Sequence, residues 1–312
     1  MDATNGWIPT TDDDVTDAPS KGNQEGIFGY GWNGSAQSIT NLVSNAGVVS
    51  SDVTGVGTSR YDSAACEYGG DKGIFGFGHD GSSIVSMTNL VSNAGVVASD
   101  VTGVGSTRAS LEGCNYGGAR DKGIFAFGNR SPNSPEYVSM SNLVSNSGVV
   151  SSDVTGVGTG RDRTAACEYG EDKGIFAYGY NNDTMDPGAQ SNLVSNVGVV
   201  ASDVTGVGTA RNALAACGYG YDKGIFGFGY TDSVVSMTNL VSNAGVVATD
   251  TTGVGTARRF LAATQYGGDK GIFGFGAGYV SMTNLVSNAG VVATDTTGVG
   301  TARGYLAACS FN

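Results

Sequence analysis

The chain holds one histidine in 312 residues, His79. A Ser/His/Asp constellation can therefore be built once at most, and His79 beside Asp80 in one short stretch lacks the oriented geometry that a triad requires. A copper site assembled from several imidazoles is out of reach for the same reason. Basic residues are also scarce, 16 Lys plus Arg against 28 Asp plus Glu. The resulting formal net charge of -12 repels a phosphate backbone, which argues against nucleic-acid binding. No apolar run approaches the roughly 18 residues of a spanning helix, and Met1-Asp2-Ala3-Thr4-Asn5 opens without a basic or apolar leader, so neither membrane insertion nor secretion is expected. Neither CxxC nor HxxxH spacing occurs, which removes the usual zinc frameworks.

What is present is one phrase written six times. GIF[GA][FY]G, a variable stretch, NLVSNxGVV, an Asp, TGVG and an Arg recur, with the Gly of GIF at Gly26, Gly73, Gly123, Gly174, Gly224 and Gly271. A strand-like repeat of roughly 45 to 53 residues has the length of a propeller blade. The 52 glycines fall at fixed places in the phrase, which points to tight turns and close sheet packing rather than disorder. Cys66, Cys114, Cys167, Cys217 and Cys309 occupy one equivalent position, with Thr264 in the remaining copy. Equivalent positions on neighbouring blades lie beyond the roughly 7 Å Cα limit for a disulfide, so these are expected as small buried residues.

Each phrase divides into four short segments with period-two alternation. Around the third copy they are 111–116, 122–128, 137–146 and 149–157. Gly/Asp/Lys turns such as Gly69-Gly70-Asp71-Lys72 and Ser-Asn-x-Gly turns such as Ser92-Asn93-Ala94-Gly95 are hairpin signals, so each unit reads as a four-stranded antiparallel meander. Alternation in GIFGFG predicts Phe75 and Phe77 on one face and Ile74 and Gly76 on the other, with aromatic face nesting on glycine face between sheets. The strand missing before Gly26-Ile27-Phe28 is present at the other end, in Arg303-Gly304-Tyr305-Leu306-Ala307-Ala308-Cys309. The expected fold is thus all-β, a six-bladed β-propeller of four-stranded antiparallel blades closed by pairing of the N- and C-terminal strands. Residues 26–312 form the propeller and residues 1–25 an extended arm, in which Trp7 and Ile8 are the apolar anchor.

The order Arg-x-x-Leu-Ala-Ala, Asp-Lys-Gly-Ile-Phe-Gly-Phe-Gly, variable loop, amphipathic strand, final strand resembles the kelch repeat. Gly-x-Gly stands for the usual Gly pair, and Val for the usual Trp. The wording KGIFGFG, SMTNLVSN, GVVATD, TGVGTAR is also similar to repeat proteins of aquatic bacteriophages, which implies a virion or tail-fibre component.

From the Asn of NLVSN to the next Arg the spacing is 19 residues in every copy, whereas from the Gly of GIF to that Asn it runs from 13 to 19. Length variation thus concentrates in the loop between second and third strands, with Ala119-Arg120 as the exception. These loops contribute Trp32, His79, Asp80, Arg130, Tyr137, Tyr180, Asn182, Asp183, Tyr230, Asp232 and Tyr279 as a candidate ligand-binding rim, where rings stack on sugars or side chains and amides satisfy hydroxyls. Asn182, Asp183 and Asp186 have no calcium-loop spacing and read as a polar loop; no metal or cofactor is expected. Arg60, Arg108, Arg161, Arg211, Arg258 and Arg303 read either as an anion-capturing ring or as structural residues, each paired with the Asp eight residues before it or with backbone carbonyls. The expectation is a non-enzymatic structural or adhesion protein of a phage particle, joined to other virion proteins through its arm and facing a host glycan or surface protein. An intracellular module for an acidic peptide and a ligand-free spacer are the alternatives.

Overall fold

The computed structural model describes residues 23–312 except 134 and 182. Residues 1–22 of the arm, with Trp7 and Ile8, and Asn182 lie outside the described residues, whereas Gln24 N–H already donates to Asn312 O at 2.9 Å and Glu25 opens a strand. Among the described residues there is no helix, and the strands fall into six three-stranded antiparallel sheets and one two-stranded ribbon. The first strands are β3 (Ala64–Tyr68), β6 (Glu112–Tyr116), β10 (Ala165–Tyr169), β14 (Ala215–Tyr219), β17 (Ala262–Tyr266) and β20 (Ala307–Phe311). The second strands carry the GIF phrase: β1 (Glu25–Gly29), β4 (Lys72–Gly76), β7 (Lys122–Ala126), β11 (Lys173–Ala177), β15 (Lys223–Gly227) and β18 (Lys270–Gly274). The third strands carry Asn-Leu-Val: β2 (Thr40–Val43), β5 (Thr88–Val91), β8 (Ser141–Val144), β13 (Ser191–Val194), β16 (Thr238–Val241) and β19 (Thr283–Val286). The ribbon pairs β9 (Arg161–Asp162) with β12 (Tyr180–Asn181).

The fourth segment differs from the expected strand. In each unit it meets the third strand at two isolated bridges, as in Val43↔Val49 and Thr40↔Val53. Three steps along β2 face four along the partner, so one extra residue is accommodated as a bulge. The bulge frees Asp52, whose carboxylate accepts from Asn41 Nδ2 at 2.9 Å and from Thr301. A regular strand would hold that carboxylate in the pleat.

The two chain ends share one sheet. Residues of β1 pair with β20 in the register Ile27↔Cys309 and Phe28↔Ala308, the register of Cys66↔Ile74 in the second sheet. Neighbouring first strands pack in the order β20, β3, β6, β10, β14, β17 and back to β20.

Packing between sheets depends on two missing side chains. A Cβ at Gly29 would lie 2.7 Å from the Phe75 Cζ, and one at Gly76 would lie 3.2 Å from the Phe125 Cζ, so each Phe of GIF sits on the small residue of the preceding sheet. The Gly that opens GIF is fixed by the cysteines: at Gly73 a Cβ would meet the Cys309 Sγ, at Gly123 that of Cys66, and at Gly26 the Thr264 Cγ2 at 2.7 Å. The five thiols are free and buried, and burial pushes their pKa values up.

The predicted faces are corrected in one respect. Phe77 shares its cluster with Ile74 and Phe125, while Phe75 packs on the opposite side with Ile27 and Tyr30. The cause is the backbone at Phe77, φ 62°, which leaves the pleat and turns the ring to the other face. Edge-to-face or tilted pairs result between consecutive sheets, from Tyr30–Phe75 at 5.1 Å round to Phe275–Phe28 at 5.2 Å.

Replacing Gly76 by Leu should therefore cost about 1–3 kcal/mol by overpacking. Gly76→Ala should be nearly neutral, because Ala126 and Ala177 occupy the equivalent position. Urea unfolding compares the two, and equal stability would refute the packing account.

Candidate functional site

The six repeated arginines are the natural starting point, and the structure buries them. Arg60, Arg108, Arg161, Arg211 and Arg303 are fully inaccessible and Arg258 is 3% exposed. Each guanidinium lies over the aromatic ring of the preceding sheet, from 4.2 Å for Arg211 on Tyr178 to 4.7 Å for Arg108 on Phe77. Each Nη2 donates to the buried Asn of Asn-Leu-Val in its own sheet, Arg60 to Asn89 at 2.5 Å, Arg108 to Asn142 at 2.5 Å and Arg303 to Asn41 at 2.8 Å, with Arg161, Arg211 and Arg258 bonded alike to Asn192, Asn239 and Asn284.

The carboxylate partner is not the Asp eight residues earlier. Arg60 faces Asp100 at 3.5 Å, Arg108 faces Asp153 at 3.5 Å and Arg161 faces Asp203 at 3.8 Å. By the time the chain reaches Arg60 it has crossed to the next sheet. Asp52 stays behind with Asn41 and takes its charge partner, Arg303, from the chain end. Asp100 also accepts from Thr58 N–H at 3.0 Å and Thr58 Oγ1 at 2.7 Å, so one carboxylate ties the crossover to the sheet it enters. Partial burial opposes ionisation of Asp100, but bonds from Thr58 and Asn89 and the charge of Arg60 hold its carboxyl below the usual range. These arginines have no free donor face turned to solvent, and an anion-capturing ring is not formed by them.

A different ring follows immediately. The residues two after each arginine, Asp62, Ser110, Arg163, Ala213, Phe260 and Tyr305, all have φ between 50° and 58°. Their backbones form a closed cycle of hydrogen bonds: Asp62 N–H to Tyr305 O, Ser110 to Asp62, Arg163 to Ser110, Ala213 to Arg163, Phe260 to Ala213 and Tyr305 to Phe260, each at 2.9 or 3.0 Å. Left-handed backbone at a non-glycine residue costs about 1–2 kcal/mol, so the cycle holds six strained residues in one geometry. The side chains they display are all different. The cycle rims a small cavity of about 30 Å³, lined also by Glu112 and Leu306.

The variable loops come to this ring. The residue one after each arginine bridges to the start of a loop, Tyr61 to His79, Ala109 to Asn129, Asp162 to Tyr180, Asn212 to Tyr230 and Gly304 to Trp32, and Arg259 O accepts from Ala277 N–H at 2.8 Å. Rings and guanidiniums then run in contact across the opening. Trp32 and His79 flank Tyr61, each at 4.9 Å; Tyr61 meets Tyr305 at 6.4 Å; and Tyr305 stacks on Phe260 at 4.0 Å. Arg163 lies 5.8 Å from Phe260 and 6.0 Å from Tyr180, which meets Tyr137 at 6.1 Å. Arg259 covers Tyr230 at 4.4 Å.

Of the rim residues expected from sequence, Trp32, His79, Tyr137, Tyr180 and Tyr230 are therefore brought together. Asp80 instead staples its own loop by accepting from the Ser82 and Ser83 N–H groups at 2.8 Å, which hold its carboxyl low. His79 Nδ1 is likewise engaged, accepting from Gly81 N–H at 2.9 Å. Arg130 closes its loop through its backbone N–H to Glu136 O at 2.7 Å. Asp183 and Asp232 are exposed on loop tips, and Tyr279 is exposed at φ 51°. Tyr61, Asp62, Arg163, Arg259, Phe260 and Tyr305 were missed. The signal was available: the two residues after the arginine are YD, AS, DR, NA, RF and GY in a frame otherwise nearly invariant.

The far end of the first strands holds a second, smaller cavity, about 20 Å³, between Glu67, Glu168, Gly218 and Gln265. Arg120, from the single insertion outside the loops, reaches into it. Its Nη1 donates to Gln265 Oε1 at 3.4 Å and its Nη2 to the Tyr221 carbonyl, so it spans from the third sheet to the fifth and sixth. Among the described residues no group of three or more His, Cys, Asp or Glu converges on a metal position. No protein-family model matches the chain, and no curated protein sequence is significantly similar to it.

Two expectations follow. Asn142→Ala removes a partner from both Arg108 and Asp153 and should cost about 1.5–3 kcal/mol, whereas Asn93→Ala in an exposed turn should stay within about 0.5 kcal/mol. Chemical denaturation reads both. The second concerns pH. Burial raises the pKa of Asp62 to about 7, of Glu112 to about 8, of Asp162 to about 6 and of Glu168 to about 7. Between the ordinary carboxyl range and these values the folded protein binds more protons than the unfolded chain, so stability falls as pH rises from about 4 to 8. The Asp residues bonded to the arginine lattice act oppositely, losing their contribution as pH falls below about 4. Thermal unfolding should therefore show its highest midpoint near about pH 4, and a midpoint higher at pH 8 than at pH 5.5 would contradict the raised pKa values of these carboxyls.

Proposed function

We propose that the chain closes into a six-bladed, kelch-like β-propeller that acts as a non-enzymatic structural and adhesive component of a phage particle, recognising a host surface glycan or protein at the rim around the opening. One observation carries the recognition reading. The six loops and the six ring positions vary in sequence, and the fold gathers both on one face while nearly everything else repeats. A rigid backbone that displays interchangeable side chains is how recognition surfaces are built. The sharing of one sheet by the two chain ends and the return of packing from β17 to β20 support closure of the ring.

The particle role rests on the similarity of the repeat wording to phage repeat proteins. Residues 1–25, with Trp7 and Ile8, would dock on other virion proteins, and several rims on one particle would add avidity to weak single sites. The acidic-peptide alternative loses its support with the burial of Arg60, Arg108, Arg161, Arg211, Arg258 and Arg303.

Mass spectrometry of purified virions should find the protein, and its absence from them would overturn the particle role. Binding of the purified chain to a glycan array and to host cells should be detected at the rim. Loss of neither signal on Tyr61→Ala with Phe260→Ala would overturn recognition there, and no signal in either assay would leave the spacer reading.

A further inference from the structure

The contacts across the opening are not sixfold. They form one path from Trp32 and His79 through Tyr61, Tyr305 and Phe260 to Arg163, Tyr180 and Tyr137, whereas the ring positions Ser110 and Ala213 present no large group. A surface of six similar loops would offer six similar weak sites. This arrangement offers one asymmetric site.

Its charge is as uneven as its shape. Phe260 lies between two guanidiniums, Arg163 at 5.8 Å and Arg259 at 5.4 Å from the ring centroid. Arg163 keeps 39% of its side chain exposed while its Nε stands 3.6 Å from the buried Asp162 carboxylate. Among the described residues no carboxylate stands within ion-pair distance of Arg259, in a chain of net charge -12. The half-buried Arg259 guanidinium lies over the Tyr230 ring at 4.4 Å, beside the stacked Phe260–Tyr305 pair. A ring pair flanked by two guanidiniums is complementary to a ligand with an apolar face and a carboxylate beside it. A hexuronate-type sugar has both in one unit. An acidic peptide has the carboxylate, but on a flexible stem without a face to stack.

Resting on the recognition reading above, we infer that the face around the opening binds one acidic saccharide chain per protein, its sugar packed against the Phe260–Tyr305 stack and its carboxylate held by Arg163 and Arg259. Neighbouring sugar units run toward Tyr61 on one side and Tyr180 on the other.

Titration calorimetry of the full chain with a galacturonic acid hexamer tests this, with maltohexaose and a hexaglutamate peptide as the uncharged and non-sugar probes. The acidic hexamer should bind at one per chain, and Arg259→Gln and Arg163→Gln should each weaken it by about tenfold or more. Lys72→Gln, at the turn from a first strand into a second and outside the path, should leave it unchanged, and circular dichroism of the variants checks that they fold. A stoichiometry near six, equal binding of maltohexaose, or tighter binding of hexaglutamate would each overturn the inference. Binding of host cells that persists unchanged in Arg163→Gln and Arg259→Gln would overturn it while leaving recognition at the rim intact; loss of cell binding only in Tyr61→Ala with Phe260→Ala would do the same.

Discussion

The lattice of buried arginine, asparagine and aspartate is the constraint on which the rest of this structure depends. A guanidinium removed from water must find partners for its fork, and an unpaired one costs several kcal/mol. Here the partners come from different places in the chain. Arg60 rests on the Tyr30 ring of one sheet and bonds to Asn89 and Asp100 of the next. Because Asp100 also holds the crossover at Thr58, one carboxylate ties the chain entering a sheet to the buried charge of that sheet. The last link, Arg303 with Asn41 and Thr301 with Asp52, joins the two ends of the chain by the contacts that join consecutive sheets elsewhere.

That lattice explains why the ring above it tolerates variety. The arginine backbone is fixed from below by its side chain and from beside by a glycine N–H of the preceding sheet, as in Gly31 to Arg60 O at 2.8 Å. Two residues on, the chain has no freedom left and enters left-handed backbone whether it is Asp62, Ala213 or Phe260. Strain that would be relieved in a loop is held by the hydrogen-bonded cycle. The bonds that close the cycle are all backbone to backbone, and so its side chains are where chemistry can change while the cycle is kept.

Much of this was legible in the sequence. The order of segments, the first-to-second-strand pairing, the meeting of the two ends and the close approach at glycine all follow from a repeat whose glycines, aromatics and turns recur in register. The failures are instructive in kind. Period two placed Phe77 with Phe75, because alternation assumes an unbroken pleat and the positive φ at Phe77 ends it. The fourth segment was read as a strand, because a bulge changes no residue type and leaves Val49 and Val53 looking regular. Of the two structural partners expected for the arginines, backbone carbonyls are found, as in Arg211 with Phe228 O and Thr209 O, whereas Asp52 is not the partner of Arg60, because the crossover between them carries the chain to another sheet.

The site divides along the same line. Loop length and aromatic content named Trp32, His79, Tyr137, Tyr180 and Tyr230, since insertions and rings are visible in a string of letters. Tyr61, Arg163, Arg259, Phe260 and Tyr305 stand in segments of constant length, and only the closed hydrogen-bond cycle shows that they face one opening. The sequence by itself determined the repeating unit, its strands and the positions where a side chain must be absent, because those depend on local backbone preference and on sterics that recur in each copy. Tertiary structure alone decided which charges pair and which varied residues meet, because both depend on bringing residues from different sheets within bonding distance, and separation along the chain carries no information about that.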